Sequence, residues 1–201
     1  MSRRSGTVNI ESERLLLRPA VPDDAKDIVN AIHASDLQNF SFFRKSLTLK
    51  RERKYLEKIM ESPSDLLYII FRKEDERLIG SIGMHDMDMV NRNARLGISL
   101  FSKENWGNGY ASEALRSFVR FVFNVSLNYS GDTRFRKLHL NVFVENKRAQ
   151  KRYTALGFRK DGVLRSHYLL TDKNGNEEWH DMVHMSLLRS EWELAQQKGA
   201  A

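Results

Sequence analysis

Apolar residues recur along the chain with two spacings, and each spacing predicts a different element. Alternating apolar positions are typical of a strand, whereas apolar positions three and four residues apart line one face of a helix. A Leu-rich run predicts a first strand over residues 14–18, and a helix is predicted over 22–34. A second helix is predicted from Thr48, whose side chain suits a helix cap, to the residue before Pro63.

The middle of the chain predicts three consecutive strands, a helix and a further strand. Residues 66–72 and 77–85 are separated by a polar turn, which indicates a hairpin. The third strand is predicted over 94–101. Apolar residues on one helical face predict a helix over 110–123, and alternation predicts a strand over 137–144.

The last part of the chain predicts a helix and a second hairpin. The helix spans 146–156, and Gly157 stands where a glycine caps a helix C-terminus. Residues 163–170 and 179–187 flank an Asn-Gly loop suited to an antiparallel hairpin. A short amphipathic helix is expected after Leu188.

The order of these elements, β-α-α-β-β-β-α-β-α-β-β, predicts an α+β fold with one central, mixed and mostly antiparallel sheet flanked by helices. A length of 201 residues suits one domain over residues 1–201, with its core at about 13–188 and a short tail at each end. A hydrophobic content of 41% excludes disordered and collagen-like chains.

Several kinds of site and location are excluded by what the sequence lacks. No stretch approaches the roughly 18 consecutive apolar residues of a membrane span, and the first residues are polar, unlike a signal peptide. We therefore expect a soluble, cytoplasmic protein with no membrane partner. The absence of cysteine excludes disulfides, a thiolate nucleophile and cysteine-based zinc or iron–sulfur sites.

The net charge of +7, from 33 Lys and Arg against 26 Asp and Glu, favours anionic ligands. The basic residues are dispersed, and the densest group surrounds the strand predicted at 137–144 and the helix after it. Such a group is more often a solvated surface than a nucleic-acid patch. Nucleic acid is therefore not the expected partner.

A glycine-containing segment lies between the strand predicted to end at Phe101 and the helix that follows. This glycine loop consists of Trp106, Gly107, Asn108, Gly109, Tyr110 and Ala111. Glycines allow close approach of the backbone, and a helix N-terminus offers free N–H groups and the positive end of its dipole. The functional interpretation is a phosphate-bearing cofactor, and the alternative is an ordinary Asn-Gly turn.

Two other phosphate-binding patterns do not fit this loop. A nicotinamide-type site needs a third Gly or Ala where the chain has Ser112, within a β-α-β unit. The Gly-Lys-Ser or Gly-Lys-Thr of a Walker loop is absent. Both patterns are therefore excluded.

A second motif lies on the helix predicted at 146–156. Asn146, Ala149 and Tyr153 are spaced i, i+3 and i+7, so they share one helical face. Together with the glycine loop, this motif resembles the GNAT superfamily of acyl-CoA N-acetyltransferases. The resemblance runs over residues 14–188 and is greatest to the branch of ribosomal-protein N-terminal acetyltransferases and spermidine N-acetyltransferases. Supporting segments are 79–83, 106–114, 160–165 and 179–183.

The resemblance implies acetyl-CoA as co-substrate and no metal. In this family the pantetheine arm lies along a strand that splays from its neighbour, and the diphosphate lies on the glycine loop. The residues implied for the arm are Ile98, Ser99 and Leu100, and further contacts are implied from Asn146 and from Lys151 or Arg152. Trp106 departs from the commoner Gln or Arg but leaves the backbone N–H groups in place.

The chemistry needs a proton acceptor and a proton donor. An alkyl amine, with a pKa near 10.4, must lose a proton before it attacks a thioester, and the expelled thiolate, whose acid has a pKa near 8.5, takes up a proton. The resemblance assigns the donor role to Tyr153, and the alternative is that this aromatic residue only packs in the core. A main-chain N–H near Ser99 or Leu100 is the candidate that stabilises the oxyanion.

The base is predicted at Asp86, at a strand end, because the chain has Arg95 where relatives often place a Glu. His85 and His167 are alternatives, and the amine could also arrive already deprotonated. The pair at 180–181, a His and an Asp, lacks the spacing of a metal site or triad, which favours structural hydrogen bonding.

These observations predict an N-acetyltransferase that moves an acetyl group from acetyl-CoA to a primary amine by direct attack in a ternary complex. The acceptor is a small polyamine-like amine or a protein N-terminus, and the sequence leaves both open. The alternative is a non-catalytic module of the same fold that binds acyl-CoA or associates with nucleic acid. A homodimer is also left open.

Overall fold

The computed structural model describes residues 8–34, 47–124, 134–171 and 175–199. Residues 1–7, 35–46, 125–133, 172–174 and 200–201 lie outside these ranges. The strands are β1 (Ile10–Glu11), β2 (Leu15–Pro19), β3 (Leu66–Arg72), β4 (Leu78–Asp88), β5 (Asn93–Leu100), β6 (Lys137–Phe143), β7 (Arg159–Thr171) and β8 (Glu177–Leu188). The helices are α1 (Ala25–His33), α2 (Leu49–Glu61), α3 (Tyr110–Asn124), α4 (Lys147–Ala155) and α5 (Arg189–Gln197).

The eight strands form one sheet in the order β1-β2-β3-β4-β5-β6-β8-β7. Neighbouring strands are antiparallel except β5 and β6, which are parallel. The predicted α+β fold, its mixed sheet and both hairpins are confirmed. The sequence does not predict β1, because a two-residue strand carries no periodicity.

The helix ends follow the predicted capping residues. The Thr48 hydroxyl accepts a hydrogen bond from the Arg51 N–H at 3.3 Å and caps α2. Gly157 has a φ of +94° directly after α4, as the predicted C-terminal cap requires. The helix predicted from residue 22 begins with a 3₁₀ turn, Pro22–Asp24, before α1. None of the described helices is long and apolar enough to cross a membrane.

Alternating strand residues pack on opposite faces of the sheet. On one face, Tyr68 of β3 packs with Phe118 of α3 in the larger core cluster. On the other face, Leu67 and Ile69 of the same strand pack against α1 and α2. The sheet is therefore covered on both faces at β3, and α3 defines one face of its centre.

The pairing between β5 and β6 is short. It joins only Asn93 to Lys137, Ala94 to Leu138 and Arg95 to His139. β5 continues beside β4 as far as Leu100, so the two parallel strands part after Arg95. We call this gap the V-shaped opening. Among the described residues, the edge of β5 that faces it has no strand partner from residue 96 onward.

Candidate active site

The glycine loop, residues 106–111, turns from the end of β5 into α3. Gly107 and Gly109 have φ angles of +93° and +85°, in the left-handed region that favours glycine. The Asn108 side-chain amide donates to the Glu104 carbonyl at 2.8 Å, which holds the middle of the loop. Because α3 begins at Tyr110, free N–H groups and the positive end of its dipole stand at the loop. The loop therefore has the backbone of an anion site.

The Arg14 side chain supports the glycine loop through contacts with two of its residues. Its Nη1 donates to the Asn108 carbonyl at 3.0 Å, and its guanidinium carbon lies 4.7 Å from the centre of the Tyr110 ring. Glu113 of α3 fixes this side chain through contacts of 2.8 Å to Nε and 2.7 Å to Nη2. Burial would raise the pKa of Glu113, but hydrogen bonds from Arg14 and Ser12 outweigh it and hold that pKa below its ordinary value. The pair therefore stays ionised at neutral pH.

A second guanidinium reaches the loop from α4. A Cβ placed on Gly107 would lie 3.4 Å from Nη2 of Arg148. Gly109 is close to the first guanidinium in the same way, because its Cβ would lie 3.2 Å from Nη2 of Arg14. The guanidinium of Arg148 and the guanidinium of Arg14, which Glu113 pairs, therefore stand next to the two left-handed glycines. The Arg148 charge suits an anionic ligand.

The edge of β5 offers main-chain groups to the V-shaped opening. The Phe101 N–H donates to the Ile79 carbonyl of β4 at 2.9 Å. In an antiparallel pair, successive residues direct their main-chain groups alternately toward and away from the neighbouring strand. Ile98 and Leu100 therefore direct theirs into the opening, while Ser99 directs its own toward β4.

The open end of the V lies next to the glycine loop and α4. Parallel strands end at the same edge of a sheet, so the loop that follows β5 and the helix that follows β6 lie together there. Asn146 caps α4, since its Oδ1 accepts from the Ala149 N–H at 3.0 Å. Its predicted contact with the cofactor stays a prediction, as does the contact from Arg152.

Tyr153 lies on the inner side of α4. Its partly buried ring packs against the core, with its centre 5.9 Å from that of Phe158. Burial raises the pKa of Tyr153 to about 12, against the opposing positive charge of Arg152. In the described part of the chain no residue hydrogen-bonds its hydroxyl. The phenol is therefore protonated at neutral pH and has its proton available.

The predicted base, Asp86, is engaged by Arg95. Its Oδ2 accepts from Nε of Arg95 at 2.8 Å, and its side chain is 71% exposed. A β-bulge between His85 and Asp88 gives Asp86 a φ of +53°, in the left-handed region. The role of Asp86 as base stays a prediction.

The neighbouring His85 lies in a more enclosed environment. Its Nδ1 is 3.0 Å from Oδ1 of Asp65, and its side chain is 18% exposed. The other carboxylate oxygen of Asp65 accepts from the Ser62 hydroxyl at 2.6 Å. A histidine and an ionised carboxylate in this geometry form the kind of pair that orients an imidazole.

The remaining candidates are placed apart from this pair. His167 of β7 has its Nε2 3.4 Å from the Asn141 amide nitrogen. Asp181 accepts from the Ser166 N–H at 2.8 Å, a structural hydrogen bond of the kind predicted for it. Within the described ranges, no three His, Asp or Glu side chains are grouped so that they could hold a metal ion.

A sequence model of the family described as "Acetyltransferase (GNAT) domain" matches residues 14–159. The chain belongs to the GNAT acetyltransferase family. The resemblance noted in the sequence is therefore confirmed, and so is the enzyme class. The placement of acyl-CoA in the V-shaped opening and on the glycine loop, which the resemblance implies, stays a prediction.

Named relatives carry the same activity in their descriptions. The uncharacterized N-acetyltransferase YoaA of Bacillus subtilis (strain 168) is 25% identical over 161 residues, 79% of this chain and 86% of that protein. The putative ribosomal N-acetyltransferase YdaF of the same strain is 29% identical over 119 residues, 59% of this chain and 58% of its own length. The structure of a spermidine N-acetyltransferase from Vibrio cholerae, solved with CoA and spermine, has a TM-score of 0.75 at 20% identity. It covers 90% of this chain and 99% of its own, and at this identity the likeness shows the fold.

Sequence reasoning missed three side chains of the site. Arg14, Arg148 and Asp65 each act through a contact with a residue that is distant along the chain or on another element. Arg148 did belong to the basic group noted in the sequence, whereas the other two gave no signal of their own. Periodicity reports which residues are buried, and it carries no information about such pairs.

Proposed function

We propose that this GNAT enzyme transfers an acetyl group from acetyl-CoA to a primary amine by direct attack in a ternary complex. The observation that carries the proposal is the V-shaped opening, which has free main-chain groups along β5 and an anion site at its open end. An extended, hydrogen-bonding arm joined to a diphosphate matches that arrangement. Acetyl-CoA has this chemistry.

The residues that would hold acetyl-CoA divide between strand and loop. Ile98 and Leu100 offer main-chain groups to the amides of the pantetheine arm, on either side of Ser99. The glycine loop offers its N–H groups to the diphosphate, Arg148 adds positive charge, and Arg14 supports the loop through the Asn108 carbonyl. No metal is required, because the N–H groups, the dipole of α3 and the guanidinium of Arg148 would offset the charge of the diphosphate.

Tyr153 and the edge of β5 supply the chemical groups. We assign Tyr153 as the donor to the sulfur that leaves, since its hydroxyl is protonated and unengaged by any described residue. An inward-facing N–H of β5, at Ile98 or Leu100, is the candidate that stabilises negative charge on the acetyl oxygen. A non-catalytic binding module would need no donor at this position.

The acceptor is a polyamine-like amine or a protein N-terminus. Relatives include a putative ribosomal N-acetyltransferase and the spermidine N(1)-acetyltransferase of Vibrio cholerae, 22% identical over 181 residues, or 90% of this chain. The net charge of +7 disfavours a polycation, whereas the carboxylate of Asp65 beside His85 favours a cationic group. Both acceptor classes are therefore included in the turnover assay.

The first prediction concerns turnover. With acetyl-CoA, EDTA and a panel of polyamines and Ala-, Ser- or Thr-starting peptides, free CoA should form in proportion to an acetylated amine. Release of CoA is followed with a thiol reagent and the product by mass spectrometry. Binding of acetyl-CoA with no turnover of any amine would favour the binding-module alternative, and loss of activity in EDTA would contradict the metal-free site.

The second prediction concerns Arg14. Arg14→Ala removes the hydrogen bond to the Asn108 carbonyl, so the glycine loop loses its support and kcat/KM for acetyl-CoA should fall about tenfold. S-acetylpantetheine has the same thioester and arm but no diphosphate. Its kcat/KM should therefore stay within about twofold of the wild-type value.

A control variant distinguishes the loss of support for the glycine loop from a general loss of stability. Arg77→Ala removes another arginine, with a 71% exposed side chain, from the β3–β4 turn and should leave both kcat/KM values unchanged. An equal loss with both acyl donors in Arg14→Ala would show that Arg14 supports the fold rather than the diphosphate site.

A further inference from the structure

A row of polar side chains crosses the sheet where the V-shaped opening begins. His85 of β4 is paired with Arg95 of β5, which is paired in turn with His139 of β6. Residues paired across strands direct their side chains to the same face. The pair of Arg95 and His139 is the last one before β5 and β6 part. His85 therefore lies on β4 at the level where β5 and β6 part, with β5 between it and the V-shaped opening.

Asp65 fixes the orientation of the His85 ring. Burial would raise the pKa of Asp65, but hydrogen bonds from Ser62 and His85 outweigh it and hold that pKa below its usual value. The carboxylate is therefore ionised at neutral pH and can only accept a hydrogen bond. In the neutral ring, the 3.0 Å contact therefore places the proton on Nδ1 of His85, and the lone pair is on Nε2.

The free nitrogen of His85 faces the opening side of β5. A Cβ placed on Gly97 would lie 3.5 Å from Cδ2 and 3.6 Å from Nε2 of the ring. Gly97 is two residues beyond Arg95, toward the open end, and on the same face. Because glycine has no side chain, no side chain of residue 97 lies between Nε2 of His85 and the V-shaped opening.

Charged and titratable groups surround this ring on three elements. Arg95 of β5 lies opposite it and is neutralised by Asp86, at 2.8 Å. From α2, Tyr55 faces the same region: burial raises its pKa, the charges of Glu52 and Asp65 add to the shift, and Arg95 opposes it. On β6, burial and the charges of His184, Lys137 and Arg95 lower the pKa of His139. Asp65 is the only carboxylate that a described contact places on the His85 ring itself.

We propose that His85, and not Asp86, is the base that takes the proton from the acceptor amine, and that Asp65 is the positioning residue that holds its ring. This inference rests on the proposed function. Asp86 is less suited to the role, because its carboxylate is exposed and already paired with Arg95. His85 has an oriented ring, a lone pair on Nε2 and a clear path over Gly97 to the opening.

The proton balance of the reaction gives His85 a defined step. An ammonium acceptor loses two protons. Nε2 of His85 takes the first, and the electron pair that this frees on nitrogen forms the C–N bond to the acetyl carbon. The C–S bond then breaks, with its electron pair on sulfur, and the second proton leaves the nitrogen. One proton ends on sulfur and the other in solvent, so the net products are the amide, the thiol and one proton.

The test compares four variants with the wild-type protein, using spermidine and an Ala-starting peptide as acceptors from pH 6 to 9. His85→Gln should lower kcat at pH 7 by about 10- to 100-fold and leave the Kd for acetyl-CoA unchanged. The loss should shrink as pH approaches the pKa of the acceptor, because neutral amine then arrives from solution. Asp86→Asn, on the adjacent residue, should lower kcat less than His85→Gln does at pH 7.

Two further measurements separate a base from a structural residue. Imidazole in the buffer should restore part of the activity of His85→Ala, in proportion to its neutral form, and should not affect Asp86→Asn. Asp65→Asn keeps the size of the side chain but removes its charge, which makes a protonated ring less favourable. The ascending limb of its pH profile should therefore move to lower pH. Its melting temperature should fall, because the hydrogen bonds that hold the pKa of Asp65 down also stabilise the fold at neutral pH, but the variant should remain folded throughout the assay.

Other outcomes of these measurements would overturn the assignment of His85 or the proposed function itself. A pH-independent loss in His85→Gln without imidazole rescue in His85→Ala, or a larger loss in Asp86→Asn, would overturn the assignment of His85. In either case the wild-type protein still acetylates the amine, so the proposed function stands. Absence of turnover in the wild-type protein with every acceptor would instead overturn the proposed function, and this inference with it.

Discussion

Tyr153→Phe is expected to lower kcat by about 10²-fold or more and to leave the Kd for acetyl-CoA nearly unchanged. The substitution removes one oxygen and keeps the ring that packs near Phe158, so the helix and the cofactor site should survive. What is lost is the hydroxyl that donates to the departing sulfur. Such an interaction is made mainly in the transition state, which is why the loss falls on kcat.

The elevated pKa of Tyr153 refines this expectation. At about 12 in the free protein, the phenol holds its proton more firmly than a thiol with a pKa near 8.5. The hydroxyl therefore acts first as a hydrogen-bond donor to the developing thiolate, and the positive charge of Arg152 assists full transfer. Because the phenol stays protonated, the wild-type protein should show no fall of kcat from this group below about pH 11.

Tyr68→Phe is the matched control. It removes the same oxygen from a fully buried tyrosine whose hydroxyl donates to the Val8 carbonyl at 3.1 Å. That variant should lose about 1 kcal/mol of stability and keep its kcat. If Tyr153→Phe behaves in the same way, with wild-type kcat measured under conditions limited by chemistry, then Tyr153 only packs in the core.

Local signals in the sequence account for most elements of the fold. The cap at Thr48, the left-handed Gly157 after α4 and the polar turn between β3 and β4 each depend on a few adjacent residues. Their physical causes are hydrogen bonding at a helix end and the steric freedom of glycine. These causes act over one turn of the chain, so a pattern in one sequence reveals them.

The geometry of the site depends on contacts that no local pattern carries. The Arg14 N–H reaches Glu113 across 99 positions, and the V-shaped opening depends on where the register between β5 and β6 stops. The resemblance to the family supplied the splayed strand, which periodicity alone does not predict. The bulge at Asp86 shows the limit most clearly. A left-handed aspartate is common enough to be tolerated there, yet nothing in the sequence marks it.

The ion-pair partners of Asp65 and Asp86 explain why these two carboxylates have different roles. Asp86 pairs with Arg95, while Asp65 pairs with His85. The chain therefore retains two carboxylates near the vertex of the opening, one that neutralises an arginine and one that orients an imidazole.

Gly109→Glu is expected to raise the Kd for acetyl-CoA by at least about 10²-fold, or about 2.7 kcal/mol, in calorimetry with EDTA present. Gly109 has a φ of +85°, and a Cβ on it would lie 3.2 Å from Nη2 of Arg14. The new carboxylate would therefore occupy the proposed anion site itself and compete with Glu113 for the guanidinium that supports the loop. Like-charge repulsion and weaker support of the loop act in the same direction.

The strain of a side chain at positive φ must be separated from this charge effect. Gly175→Glu makes the same substitution at a φ of +90°, where a Cβ would have no heavy atom within 4 Å, so it should leave the Kd unchanged. Gly109→Lys keeps the strain and similar bulk at the loop but reverses the charge, and it should lose much less affinity than Gly109→Glu. Equal losses in the two Gly109 variants would mean that sterics alone act there. Wild-type affinity in Gly109→Glu would show that the diphosphate binds elsewhere, since no anion could share that position with a glutamate.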